Sequence, residues 1–212
     1  MIVEYLEFFI FAFTSIFVIV DPISGAITFV SMTSQMTNEE KNKIAKKAVT
    51  LACAIALFFA ITGSVILHLF NISIDSLRIA GGLLLFGIAF DMMHAKISRE
   101  SITEEEISQS QEREDIWIFP IGLPLLTGPG TISTVIVLIG GTETFMQKTI
   151  IIVAIILTFI LSLYVFYFSR RIDKLIGYNG MLVFTRVMGL LLAALAVNLT
   201  VTGIISMFRL TI

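Results

Sequence analysis

Six apolar runs, each long enough to cross a bilayer, leave this chain few folds to choose from. A membrane-spanning helix needs about 20 consecutive apolar residues. Span 1 is expected from Tyr5 to Met32, span 2 from Ala45 to Phe70 and span 3 from Ser76 to Met93. Span 4 follows from Ile116 to Gly140, span 5 from Ile150 to Phe168 and span 6 from Met181 to Phe208. None of them alternates with the period of two that a barrel strand requires, so all six are read as helices. Of the 212 residues 57% are hydrophobic and only 14% charged, too little polar surface for a soluble domain of this size. The expected fold class is an all-α integral membrane protein with six transmembrane helices.

Loop charges set the expected orientation. Lys41, Lys43, Lys46 and Lys47 lie between spans 1 and 2, Lys96, Arg99 and Arg113 between spans 3 and 4, and Arg170, Arg171 and Lys174 between spans 5 and 6. The other side has Lys148, Arg209 and the helix-start Arg78. Both termini are therefore expected outside, with the three basic loops in the cytoplasm and the protein in the cell membrane. The start, MIVEYLEFF, has acids and no basic region, so the first run is expected to stay in the mature protein. The single Cys53 lies in an apolar run and reads as a buried thiol. The loop KISRESITEEEISQSQERED carries seven acids and three bases and reads as a solvated linker.

That linker, 94–115, divides the chain into two three-span units, 1–93 and 116–212. The units resemble each other. At an offset of 108, Arg78 of RIAGGLLLFGIAF falls on Arg186 of RVMGLLLAALAVN, Gly81 on Gly189, and Leu83 and Leu84 on Leu191 and Leu192. At an offset of 107, Asp21 and Pro22 fall on Gly128 and Pro129, and Ser24 on Thr131. A unit with an odd number of spans enters the membrane the other way round the second time. The expected architecture is two inverted-topology three-helix repeats related by an axis in the membrane plane.

Both aligned motifs break a span near its middle, VDPISGAI in span 1 and TGPGTIS in span 4. Asp21 suits an N-cap with Pro22 at the first helical position, and Gly128 with Pro129 suits the same arrangement. Helices 1 and 4 are therefore expected as pairs of half-helices. A break exposes amides at the start of the second half and carbonyls at the end of the first. In lipid such groups cost several kcal/mol each, so a break must face protein or a watery cavity. Amide ends carry partial positive charge and suit a carboxylate, while carbonyl ends and Asp21 suit an ammonium group. The expected substrate-binding residues are Asp21, Pro22, Ser24, Gly25, Thr127, Gly128, Pro129, Gly130, Thr131 and Asn198. Asp21 has two readings, a cap for its own half-helix or a proton carrier. Asn198 likewise reads as an interhelical hydrogen-bonding group or a pathway residue. Plain structural kinks are the competing account of both prolines.

The remaining polar residues point to no further chemistry. Asp91, His68 and His94 lie near span ends, and Arg78 and Arg186 are explained by side chains reaching the interface. Gly81, Gly82 and Gly87 read as close-packing positions. No set of His, Cys and carboxylate has metal-ligand spacing, no Ser/His/Asp arrangement or phosphate loop is present, and no cofactor or nucleic-acid partner is expected.

The motifs DPISG, PLLTGPGTIS and RIAGGLLLFGIAFDMM resemble the MarC family of six-span membrane proteins, which includes the SnatA-type small neutral amino acid transporters. The likeness runs through nearly the whole chain in order. The first motif departs from the family pattern Asp-Pro-x-Gly-Asn-x-Pro: Ser24, Gly25 and Ile27 stand at its last Gly, Asn and Pro, which bears on substrate range. The resemblance implies transport of glycine, alanine and similar amino acids, driven by a proton or other cation such as sodium. It carries Asp21, Pro22, Gly128, Pro129, Gly130 and Thr131 over as matching positions. The expectation is a secondary transporter and not an enzyme, with a midplane site and alternating access. An exporter of another small polar solute, a membrane enzyme and a non-transporting scaffold are the rivals. Substrate identity, flux direction and oligomeric state stay open.

Overall fold

The computed structural model describes residues 2–94 and 115–208, and every regular element among them is a helix. Span 1 comprises α1 (Ile2–Val20) and α2 (Pro22–Met32); span 2 is α3 (Asn38–Leu69) and span 3 is α4 (Ile74–Met93). Span 4 comprises α5 (Trp117–Leu126) and α6 (Pro129–Gly140). Spans 5 and 6 run within α7 (Phe145–Phe208), which is interrupted at Gly177, where φ is 64° and only glycine is unstrained. Among the described residues five helical stretches are individually long and apolar enough to cross a membrane, or up to six if α5 and α6, bent by 53° at their break, count together as one span. The expected linker 94–115 with Lys96, Arg99 and Arg113, and the tail Arg209, lie outside the described residues, as do the side chains of Arg170 and Lys174.

Local sequence explains where the helices start. Helix α3 begins about two turns before the expected Ala45 because Thr37 and Glu40 form a capping box. The Thr37 amide and hydroxyl each donate to the Glu40 carboxylate at 2.8 Å and hold its pKa below the ordinary glutamate range. Helix α4 starts on Ser73, which caps the Ser76 amide. Arg78 then pairs with Asp75 at 2.7 Å, and Ser206 near the end of α7 donates to the same carboxylate at 2.8 Å. The Asp75 carboxylate, paired with the arginine that sequence assigned to the interface, thus ties the start of α4 to the end of α7.

Small residues decide which helices touch, because lipid supplies no hydrophobic drive between apolar faces. On α3, Ala45, Ala48, Ala52, Ala56, Ala60 and Gly63 are buried and accept α5 and α6. Gly63 lies beneath Ile136, and Gly122 approaches the Ala48 carbonyl. Helix α4 packs along the last part of α7. A methyl on Gly82 would collide with the Thr200 hydroxyl and stand 2.7 Å from the Ala196 carbonyl, so that approach depends on glycine. Large apolar side chains such as Ile61, Phe70, Leu83 and Phe145 remain outside, as a lipid-facing surface requires.

Candidate functional site

Both spans break where proline and its neighbour demand it, in different ways. In span 1 a single residue, Asp21, leaves the helix, at φ 42° and ψ 63°. Asp tolerates this left-handed region better than most side chains. Its amide still donates to the Phe17 carbonyl and its carbonyl still accepts from the Gly25 amide, both at 3.0 Å. Its carboxylate accepts the Ser24 amide at 3.3 Å, and Pro22 at the first position has no N–H to satisfy. The break is closed by its own chain, and the span continues without a bend above 40°.

Span 4 breaks more deeply. Helix α5 is wound with π-type bonds, including Thr127 amide to Gly122 carbonyl at 3.2 Å. Pro120 and Pro124 remove two ladder donors, and the residues before them, Phe119 and Leu123, are extended, the region a pre-proline residue prefers. The expectation of two half-helices holds, but the first half is π-wound and twice interrupted because those prolines stand four residues apart. Gly128 then caps α6 in extended geometry with no side-chain oxygen to offer, and Pro129 has no N–H. Helical geometry leaves the amides of Gly130 and Thr131 without an acceptor inside α6, since the ladder opens with Ile132 donating to Gly128 at 3.1 Å. The positive end of α6 is therefore uncapped by its own sequence.

The two breaks meet. A methyl on Gly25, just after the first break, would lie 3.9 Å from Leu126, just before the second. One on Gly130, just after the second, would lie 3.8 Å from Ile19, just before the first. Spans 1 and 4 thus cross in opposite directions with their breaks at the crossing. Phe166 of span 5 covers Gly25 at 3.5 Å, and Leu85 of span 3 covers Gly130 at 2.7 Å, so the glycines of span 3 do pass this region. Ser133 lies 3.0 Å from the methyl position of Gly81.

The expected site residues divide into groups. Asp21, Pro22, Ser24 and Gly25 gather with Gly128, Pro129, Gly130 and Thr131 at the crossing. The Thr131 hydroxyl donates back to Leu126 at 3.3 Å, satisfying a carbonyl that the break frees. Thr127 is fully buried and donates to the Ala52 carbonyl of α3 at 3.0 Å, so it anchors the break to span 2. Asn198 stands apart, exposed on span 6, while Thr200 two residues on packs against Gly82. Sequence reasoning missed Thr185 of span 6, whose hydroxyl reaches Ser24 at 3.2 Å, and the covering side chains Leu85 and Phe166. No local pattern marks such partners; they follow from helix register. Also missed were Ser15, Thr134 and Thr158, buried hydroxyls on three different spans with no hydrogen-bond partner among the described residues.

Comparison with known proteins agrees with this architecture. The profile of the MarC family integral membrane protein matches residues 6–208. The UPF0056 membrane protein MJ0972 of Methanocaldococcus jannaschii is 35% identical over 97% of this chain and 90% of its own length. YvbG of Bacillus subtilis, also a UPF0056 membrane protein, is 36% identical over 95% of this chain and 96% of its own. YhcE of Escherichia coli, of the same description, is 38% identical over 96% and 93%. No solved structure matches the chain. With five candidate spans and a bent helix pair, and with a family match that runs over residues 6–208, the chain belongs to the MarC family of multi-pass integral membrane proteins.

Proposed function

We propose that this protein is a secondary active transporter of small neutral amino acids, with glycine and alanine as the type substrates. The observation that carries the reading is the uncapped start of α6 at the crossing of the two breaks. Two amides and the helix dipole there suit a carboxylate at a depth where Lys and Arg would be costly. Glycines on both sides of the crossing, Gly25 and Gly130, favour a ligand of few atoms. Asp21 is the one acid at this depth among the described residues and the candidate for proton coupling, alongside its capping of α2.

The inverted repeat supplies the mechanism. Its support lies in where the antiparallel contacts are centred. Spans 1 and 4 cross at Asp21–Pro22 and Gly128–Pro129, the positions that the internal alignment pairs. Along spans 3 and 6, Gly203 meets Asp75, Gly82 meets Ala196 and Thr200, and Gly189 meets Ala89 and Met92. That crossing is centred near Leu85 and Ala193, which the offset of 108 also pairs. An antiparallel crossing centred on equivalent residues is what a two-fold axis through it produces. Two such halves can rock about a fixed site and alternate its access, with the termini outside and the basic loops within.

The experiment is uptake of labelled glycine or alanine by proteoliposomes under imposed proton, sodium and voltage gradients. Saturable, gradient-driven accumulation is the expected result; folded protein that accumulates neither under any gradient overturns the reading. Stronger competition by an unlabelled solute of another class would favour the exporter alternative. The scaffold alternative draws on Phe166 and Leu85 packing over the two glycines, and it is favoured if no solute is moved.

A further inference from the structure

Asp75 and Arg78 pair in the first turns of α4, at the end expected outside from loop charge. Their contacts reach beyond that helix. One carboxylate oxygen of Asp75 accepts from Arg78 at 2.7 Å, and the other accepts from Ser206 of α7 at 2.8 Å. The guanidinium reaches the other way, to the far end of α6. A methyl on Gly141 would stand 2.7 Å from Arg78 Nη2 and 3.2 Å from the Val137 carbonyl. That carbonyl lies in the last turn of α6, the negative end of the half-helix whose positive end opens at Gly128. Glycine permits the approach on both flanks. A methyl on Gly140 of α6 would come within 2.9 Å of Ile74, and one on Gly203 of α7 within 2.9 Å of the Asp75 carbonyl. The first turn of α4 is thus clasped between α6 and the end of α7.

The opposite end is built differently. In the internal alignment Arg78 falls on Arg186, but Asp75 falls on Val183, and Gly140 and Gly141 fall on Thr33 and Ser34. Arg186 is exposed and has no hydrogen-bond or ion-pair partner among the described residues. The end of α2 is met by Lys41 of the adjoining α3, which donates to the Ser34 carbonyl at 3.4 Å. Thr185, beside Arg186, touches Ser24 near the start of α2 and not its end. We propose that the Asp75–Arg78 pair is the latch of an outer gate, holding α6 and span 6 against span 3. Helix α6 runs from the crossing of the breaks to this latch, so its outer turn cannot part from span 3 until the latch opens. A part-exposed ion pair is a weak bond, which suits a contact that each cycle must break. With no matching latch at the inner end among the described residues, the resting balance favours the state closed to the outside. The role as a gate rests on the transport reading; the hold on α6 does not.

The test is the rate at which a water-soluble maleimide labels the full-length protein in nanodiscs, with Ser133→Cys as the reporter and Cys53→Ala removing the native thiol. Ser133 faces Gly81 between α6 and α4, about two turns behind the latch. Arg78→Gln should raise the rate about fivefold, the population change expected when a weak, part-exposed ion pair is lost. Ser206→Ala takes a single hydroxyl from the latch and should raise it less, which keeps the test open if Arg78→Gln does not fold. Arg78→Lys keeps a cation there and should stay nearer the slow rate, and Arg186→Gln should leave the rate unchanged. No rise in Arg78→Gln and Ser206→Ala, or an equal rise in Arg186→Gln, overturns the latch. Labelling needs no substrate, so the two readings can fail separately. Alanine uptake by a protein whose Arg78→Gln form labels no faster removes the latch alone. Faster labelling of that form, in a protein that moves no solute, removes transport alone.

Discussion

The break in span 1 and the break in span 4 begin with the same device, a proline at the first turn of a half-helix, and end differently. In span 1 the residue before proline is Asp21, which fills the positive end of α2 with its own carboxylate. In span 4 it is Gly128, which brings no side chain and leaves the α6 amides open. The first break stays below a 40° bend; the second bends by 53° and follows a π-wound segment. One substitution between equivalent positions thus separates a break capped by its own side chain from one with no side-chain cap.

Making the second break like the first gives the largest expected effect. Gly128 has extended backbone that any residue can adopt, although a side chain there approaches the Pro124 carbonyl at 2.8 Å. Gly128→Asp should therefore abolish alanine uptake, and Gly128→Ala, with the same steric cost and no charge, should retain more of it. Equal loss in both would remove charge from the explanation.

The converse change tests the first break. Asp21→Ala removes both a cap and a residue tolerant of the left-handed region, and should cost about 2–3 kcal/mol in unfolding measurements. Asp21→Asn keeps both features and should cost less than about 1 kcal/mol. If Asp21→Asn also leaves gradient-driven accumulation unchanged, Asp21 is a cap alone. Thr127→Val removes a buried interhelical hydrogen bond while the Ala52 carbonyl keeps its helical partner, and should cost about 0.5–1.5 kcal/mol. Because that bond ties the second break to span 2, the matching loss of uptake should exceed anything seen for Asn198→Ala, for which no change is expected.

Much of this contrast is visible in the sequence before any coordinates. Both breaks follow from Pro22 and Pro129 in apolar runs, and the six spans from run length alone. The sequence reading treats the two breaks alike, although Asp can cap with its side chain and Gly cannot. What stayed hidden depends on register between helices far apart in the chain. Nothing in the sequence shows that Thr127 donates to the Ala52 carbonyl, or that Asn198, read as an interhelical hydrogen-bonding group or a pathway residue, is exposed on its helix. The π winding of α5 had a local signal in Pro120 and Pro124, but a proline pair states where bonds are lost and not which bonds replace them. The orphan hydroxyls have no sequence signature, because a lone Ser or Thr in an apolar helix ordinarily bonds its own backbone.

The smallest effect concerns the soluble start of span 2, away from both breaks. Thr37→Ala should cost about 1 kcal/mol by opening the capping box and leave uptake per folded molecule unchanged. Because Glu40 has a lowered pKa in the folded protein, its contribution is present above the ordinary glutamate range. It is lost as the pH falls through the lowered value, so a pH titration of stability should show that loss in wild type and not in Thr37→Ala.

The most direct test of the open α6 terminus compares alanine with alaninamide, which lacks the carboxylate, as stabilising ligands for the purified protein. Saturable stabilisation by alanine and none by alaninamide is the result expected if the amides of Gly130 and Thr131 hold a carboxylate. Equal stabilisation by the two, or by neither, would contradict it.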